Sequence, residues 1–280
     1  MRIHLCGARG STPAPGPEFV RYGGHTSCVA LVHDGDVVPT LILDAGTGLR
    51  QVTPLMKGQP YAGVILLSHL HWDHVHGLPF FRAGDTEGAR VTLLLPEQGD
   101  GACAESVLAR GMSPPHFPIR PRDLRGIWEF RTVAAGCLKA GRFSVEAREV
   151  PHKGGRTFGY RVSDGRSVIA YIPDHCPTSL GPGPDGWGEY HAAALELADG
   201  ADVLVHDAYL LPAELAAEAS FGHAAADYAV GLAARAGARS VLLFHHRPER
   251  TDAELDELGR RLAHAPVPVT VAAEQGILSL

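Results

Sequence analysis

The chain has 280 residues, 25 Lys+Arg against 31 Asp+Glu for a net charge of −6, and 16 histidines beside only five cysteines. A hydrophobic share of 45% suffices for a packed core and excludes disorder as the main state, while 33 glycines and 21 prolines without a triplet period exclude a collagen-like or low-complexity chain. The acidic balance is the wrong sign for a protein held to nucleic acid chiefly through phosphates, so no stable nucleic-acid partner is expected. No apolar run approaches the roughly 18–20 residues of a membrane span and the N-terminus lacks a signal-peptide core, so the expectation is a cytoplasmic protein with no membrane contact.

In chain order, β-branched or apolar runs bounded by Gly, Pro or Asp predict strands at residues 2–6, 27–33, 38–43 and 63–67. The turn Leu43-Asp44-Ala45-Gly46-Thr47-Gly48 closes the third of these and opens a short helix over 49–56. Strands follow at 91–95, 143–150, 157–162 and 168–172, with a helix at 102–110. From residue 189 the pattern changes to helices at 189–198, 213–219, 224–236 and 252–263, alternating with short apolar strands at 203–206, 241–244 and 267–272. Strands with outer helices in both halves predict one layered α/β domain over residues 1–280, since the Gly/Pro loop at 181–186 is too short for a hinge and no solenoid repeat is present. The cysteines, odd in number and without a C-x-x-C pair, are expected to be reduced, small buried side chains.

Chemistry concentrates where the apolar run 64–67 ends in Ser68-His69-Leu70-His71-Trp72-Asp73-His74. Three imidazoles and a carboxylate offered by one loop are what a divalent transition metal such as zinc needs. His69 and His71, as alternate residues on an extended backbone, can point the same way, while Asp73 and His74 follow after the chain turns. All four would crowd one ion, so two ions sharing the loop is the economical arrangement.

These residues match in full the H-x-H-x-D-H motif of the metallo-β-lactamase superfamily, which the chain resembles from the 43–48 turn to its last strand. The resemblance implies an αββα sandwich of two mixed β-sheets with outer helices and a binuclear metal centre at one edge. It assigns His69, His71 and His152 to one ion, and Asp73, His74 and His245 to the other. Asp174 then bridges the two together with a water, which is the nucleophile. His152 in Val150-Pro151-His152-Lys153-Gly154-Gly155, Asp174 in Tyr171-Ile172-Pro173-Asp174 and His245 in Phe244-His245-His246 stand where the family has its later ligands, with His246 the less favoured alternative. Zinc is the expected metal; manganese and iron stay open, because N/O ligands discriminate poorly among first-row ions.

A bridging Asp rather than Cys resembles the phosphodiesterase and glyoxalase-type branches. The segments Val203-Leu204-Val205-His206-Asp207-Ala208-Tyr209 and Phe221-Gly222-His223-Ala224-Ala225-Ala226 resemble the paired acidic and His motifs of the tRNA maturation endonucleases and related bacterial cyclic-nucleotide phosphodiesterases. By that resemblance His223, held by Asp207, protonates the leaving sugar oxygen, so Asp73, Asp207 and His223 are the candidate catalytic residues; His206 is left as a strand-end histidine. The stretches Gly7-Ala8-Arg9-Gly10-Ser11-Thr12-Pro13 and Arg21-Tyr22-Gly23-Gly24-His25-Thr26-Ser27-Cys28 also match that bacterial subgroup, with His25 where it has Asn; they offer backbone N–H groups to a phosphate or simply pack as turns. The tRNA enzymes commonly carry a long arm between the third His ligand and the bridging Asp, where this chain has only 21 residues. The expected activity is hydrolysis of a small-molecule phosphodiester, a cyclic nucleotide first. A thioester or lactone hydrolase, an RNA-processing endonuclease and a nucleotide-sensing module that has lost its chemistry are the rivals. A homodimer is expected from the relatives alone.

Overall fold

The computed structural model describes residues 1–99 and 101–280. Fourteen strands run in order: β1 (Arg2–Gly7), β2 (Cys28–Val32), β3 (Leu41–Leu43), β4 (Ala62–Leu66), β5 (Arg90–Pro96) and β6 (Ile127–Val133), then β7 (Gly136–Ala140), β8 (Phe143–Glu149), β9 (Phe158–Ser163), β10 (Val168–Ile172), β11 (Val203–Asp207), β12 (Val241–Phe244), β13 (Val269–Val271) and β14 (Ile277–Ser279). They form two seven-stranded sheets, ordered β14-β1-β2-β3-β4-β5-β6 and β13-β12-β11-β10-β9-β8-β7. In the first, β14, β1, β2 and β3 pair antiparallel and β3 to β6 parallel. The second repeats the scheme, antiparallel from β7 to β10 and parallel from β10 to β13. Both sheets are therefore mixed.

Period-two alternation sorts each strand's side chains between two buried layers. Ile3, Leu5, Val29, Leu31, Leu41 and Leu43 face Tyr160, Ile169, Tyr171, Val205, Leu242 and Phe244 across the space between the sheets. On the outer face of the first sheet Ala30, Ile42, Ile65 and Leu93 pack with α1 (Val52–Leu55) and, past the short α2 (Trp72–Val75), with α3 (Ala104–Ala109). On the outer face of the second, Ala170, Ile172, Leu204 and Leu243 meet α4 (Ala192–Ala198) and, beyond the single-turn α5 (Leu215–Glu218), α6 (Ala226–Arg235) and α7 (Asp252–Arg261). The result is the αββα sandwich expected of the sequence. Strands buried on both faces read as continuous apolar runs, which is why the central ones were legible without an alternating pattern.

Three strands were not anticipated. β6 and β7 are sheet edges with largely exposed, mixed-polarity residues, and β14 is a three-residue edge strand, so none carries the apolar run that marked the others. Two helices differ as well. The expected helix 213–219 is one α-helical turn between two 3₁₀ turns. The expected helix at 224 begins at Ala226, because the Ala224 carbonyl accepts from Leu210 N (3.1 Å) and Ala225 bridges Leu210. Cys6, Cys28 and Cys176 are buried as expected, but Cys103 and Cys137 are exposed, lying at a helix start and on the β7 edge. Among the described residues no helix is long and apolar enough to cross a membrane.

Parallel neighbours end at the same edge, so the segments leaving β3, β4, β10, β11 and β12 converge there. Arg9, only 1% exposed, ties three of the loops at that edge: its guanidinium donates to the carbonyls of Gly23 (2.8 Å), Arg247 (3.3 Å) and Arg250 (2.6 Å).

Candidate metal centre

Every residue expected to bind metal comes to this edge. His69 and His71 leave β4, and the chain then turns into α2, which carries Asp73 and His74. His152 follows β8, Asp174 follows β10 and His245 follows β12. His69, His71 and His152 hold ligand atoms within 4.8 Å of one another, as do Asp73, His74 and His245, and His69 and His74 with Asp174. The Asp174 carboxylate spans the two groups. Its Oδ1 lies 3.4 Å from His152 Nε2 and 4.0 Å from His69 Nε2, and its Oδ2 lies 3.0 Å from His74 Nε2 and 3.3 Å from His245 Nε2.

The tautomers explain what these atoms need. His74 Nδ1–H donates to Asp44 Oδ2 (2.8 Å) and His152 Nδ1–H to the Gly222 carbonyl (2.7 Å). Ser68 Oγ donates to Asp44 Oδ2 (2.8 Å), so it accepts from His69 Nδ1–H (3.0 Å). His69 and His152 thus spend their proton on an outer acceptor and turn the Nε2 lone pair inward, while Asp44 fixes the His74 ring with Nε2 toward the centre. His71 does the reverse and presents Nδ1, 3.3 Å from His152 Nε2. Its Nε2 edge lies over Gly154, where a Cβ would come within 2.8 Å. His69 and His152 therefore face the Asp174 carboxylate with lone pairs, and the fully buried His69 Nε2 and Asp174 Oδ2 have no hydrogen-bond partner. A buried arrangement of this kind is stable only around cations, and the donor set fits two divalent metal ions.

Burial pushes His69, His71 and His152 below the ordinary histidine range and keeps them neutral. Burial would lower His74, but Asp73, Asp174 and Asp44 around it carry it well above the ordinary histidine range, so without metal its Nε2 keeps a proton whose place an ion would take. Burial alone would raise Asp73 and Asp174, but the surrounding histidines, His74 and His245 foremost, hold both well below the usual carboxylate range.

The outer supports were not read from the sequence. Asp44, in the left-handed region at φ 59°, accepts from Ser68 N (2.6 Å), Ser68 Oγ, His74 Nδ1 and Tyr171 OH (2.8 Å). Its place in the 43–48 turn, at the end of a strand next to β4, was the available signal. Asp44→Asn swaps an acceptor-only group for one that must also donate, and is expected to weaken metal binding by roughly 10–100-fold in a chelator competition. Ser11 N donates to Asp73 Oδ2 (2.7 Å), and Gly10 packs so closely on His245 that a Cβ there would collide with its ring. One sequence reading offered the backbone N–H groups of the glycine-rich loops to a phosphate, but four of them are not free to meet one. These are spent internally: Arg9 N on His25 O, Gly10 N on His246 O, Ser11 N on Asp73, and Thr26 N on Thr47 Oγ1.

His223 and Asp207 also reach the cluster. His223 Nδ1–H donates to Asp207 Oδ2 (3.0 Å) and lies 3.6 Å from Asp174 Oδ1. Asp207 is fully engaged, accepting from the N–H groups of His175 (3.1 Å), Ala224 (3.2 Å) and Tyr209 (2.9 Å) as well. Although Asp174, Asp207, His223 and His245 also fall within 4.8 Å of one another, that saturation makes Asp207 a holder of His223 rather than a metal ligand. Burial would lower His223, but Asp207 beside it, with Asp174 and Asp73, carries it above the ordinary range. Tyr209 stacks on its ring at 4.3 Å, and Nε2 has no partner among the described residues. His206 is a buried strand-end residue bonded to His175 (3.1 Å), His246 is buried on the Ala272 carbonyl (2.9 Å), and His25 bonds Thr47 Oγ1 (3.2 Å); none is in the donor groups.

Comparison with known proteins is consistent with this geometry. Residues 40–246 match the family model described as a beta-lactamase superfamily domain. The chain is 26% identical over 293 residues to the ribonuclease Z of Salinibacter ruber, covering 90% of this chain and 87% of the relative. Among solved structures, the metallo-beta-lactamase fold protein YhfI from Bacillus subtilis has a TM-score of 0.73 at 16% identity, covering 99% of both chains. A diphosphatase from the PhnP family has a TM-score of 0.69 at 19% identity, covering 100% of this chain and 97% of that one.

Proposed function

The chain belongs to the metallo-β-lactamase superfamily and is a metal-dependent hydrolase, and from that premise we propose that it hydrolyses a small phosphodiester, a cyclic nucleotide being the favoured class. The observation that carries the reading is the His223–Asp207 pair, a buried imidazole held 3.0 Å from a carboxylate and 3.6 Å from Asp174. A thioester expels a thiolate and parts without a positioned acid of this strength, whereas a sugar alkoxide is a poor leaving group that needs one.

The roles divide as follows. His69, His71 and His152 would hold one divalent ion and Asp73, His74 and His245 the other, with Asp174 shared. Zinc suits this imidazole-rich set. When bound, the ions supply Lewis acidity for the phosphoryl oxygens and an activated water. Asp174 holds the two donor groups in register through its separate oxygens. Asp207 fixes the His223 tautomer with the proton on Nδ1, so that protonated His223 gives its second proton, from Nε2, to the departing oxygen. Asp73 is kept in place by Ser11 N.

A small substrate is favoured over folded RNA, although the relative from Salinibacter ruber is named ribonuclease Z. Strands β9 and β10 with their tight turn fill the chain between His152 and Asp174 and leave no arm there to grip a large ligand, and the net charge of −6 opposes one. Metal-loaded protein is to be assayed against bis(p-nitrophenyl) phosphate and 2′,3′- and 3′,5′-cyclic nucleotides, beside thioester and lactone panels. Turnover of a cyclic nucleotide is the expected result; thioester or lactone cleavage with no phosphodiester turnover would overturn the reading.

A further inference from the structure

On the His71 side of the donor cluster the surface opens into a groove of about 790 Å³. It is continuous with the centre, since His71 and the Gly154 beneath it line one end. Val107 and Leu108 of α3 and Met112 just beyond form an apolar wall, and Trp72 and Phe80 border the opening. His223, Asp207 and Asp174 are not among its walls.

Two large aromatic rings are left in water here instead of joining a core: Trp72 is 71% exposed and Phe80 60%. Both are braced from one side only. Trp72 stacks on His76 at 5.3 Å and an interplanar angle of 21°, and Phe80 packs edge to face on Phe117 at 5.9 Å and 87°. Each is thereby held in place while much of its surface stays free. Exposed, braced aromatic surface beside a reaction centre is what a flat π-system stacks on, and such stacking tolerates variation in the ring because every base or aryl group has a π-face.

Direction follows from the acid. His223 marks the side on which the leaving oxygen departs, and the groove runs along His71 with His223 outside its walls. Resting on the phosphodiester reading above, we infer that this groove is the subsite for a planar aromatic group, a nucleobase or aryl ring, on the part of the substrate that stays attached to phosphorus, with Trp72 and Phe80 as its specificity-determining residues.

Two substrates with one leaving group isolate this subsite: bis(p-nitrophenyl) phosphate and methyl p-nitrophenyl phosphate differ only in the group retained. The ratio of their kcat/KM values is measured for metal-loaded wild type, Trp72→Ala and Phe80→Ala. Intrinsic reactivity cancels between proteins. The ratio is expected to fall by roughly tenfold in each variant, the size of one stacking interaction; a ratio within about twofold of wild type in both would overturn the inference while leaving the phosphodiesterase reading intact. Metal content is measured alongside, and because Trp72 sits between two donors, Phe80→Ala decides if Trp72→Ala has lost metal.

Turnover of neither diester would count against the phosphodiester reading itself, and the subsite then has its own test in binding. Phenylphosphonate is expected to quench tryptophan fluorescence of the metal-loaded protein and to bind about tenfold more tightly than methylphosphonate, with the quench lost in Trp72→Phe. Equal affinities for the two phosphonates would overturn the inference.

Discussion

Replacing Asp174 with alanine is expected to lower turnover by at least about a thousandfold and to leave fewer than two metal ions per chain by elemental analysis. Asp174 is the one side chain whose two oxygens address different donor groups, Oδ1 toward His152 and His69 and Oδ2 toward His74 and His245. Without it the imidazoles of His69, His74, His152 and His245 still converge, but no carboxylate spans the two groups that would hold the ions. Asp174→Asn keeps the volume and removes the charge, so it separates packing from electrostatics; it is expected to bind metal better than the alanine variant and to remain severely impaired. A fully loaded, active Asp174→Ala protein would show that the bridge lies elsewhere.

The second large effect concerns His223. His223→Ala is expected to reduce kcat by about 10²–10⁴ on a cyclic nucleotide, whose leaving group is a sugar alkoxide, and by less than about tenfold on p-nitrophenyl esters, whose phenolate departs without a proton. Loss of structure would depress both substrates equally, so the contrast between them is the diagnostic quantity. Asp207→Asn should reproduce the same contrast in weaker form, because it disturbs the tautomer while leaving Nε2 in place. An unchanged kcat on every substrate would favour thioesterase chemistry, whose thiolate leaving group needs no such acid.

How far the sequence could be read depended on whether a residue's role is local. His69, His71, Asp73 and His74 lie in one motif whose chemistry is stated by its spacing, and the central strands announced themselves because both faces are buried. Asp44 and Tyr171 are 127 residues apart and meet only when the two sheets stack, so the support Tyr171 gives to the carboxylate that holds His74 left no sequence signature. Arg9 looked like any arginine of a glycine-rich turn; only the converging loops turn its guanidinium into a tie. The engagement of Arg9, Gly10 and Ser11 N was hidden for the same reason, since the partners that consume those N–H groups come from distant segments. The late start of α6 at Ala226 is likewise nonlocal: Leu210, just after β11, takes the Ala224 carbonyl that a helix starting there would use, and bridges Ala225.

Neither sheet owns the donor set. His69, His71, Asp73 and His74 belong to the first half of the sandwich and His152, Asp174 and His245 to the second, so bound ions rivet the two layers together. Whatever binds only this folded arrangement adds to its stability by mass action, roughly 2.7 kcal/mol at a hundredfold excess over Kd. Calorimetry of chelated protein is accordingly expected to show a lower melting temperature that recovers on adding metal back. The heat resistance of this hydrolase thus rises and falls with the metal supply of its surroundings.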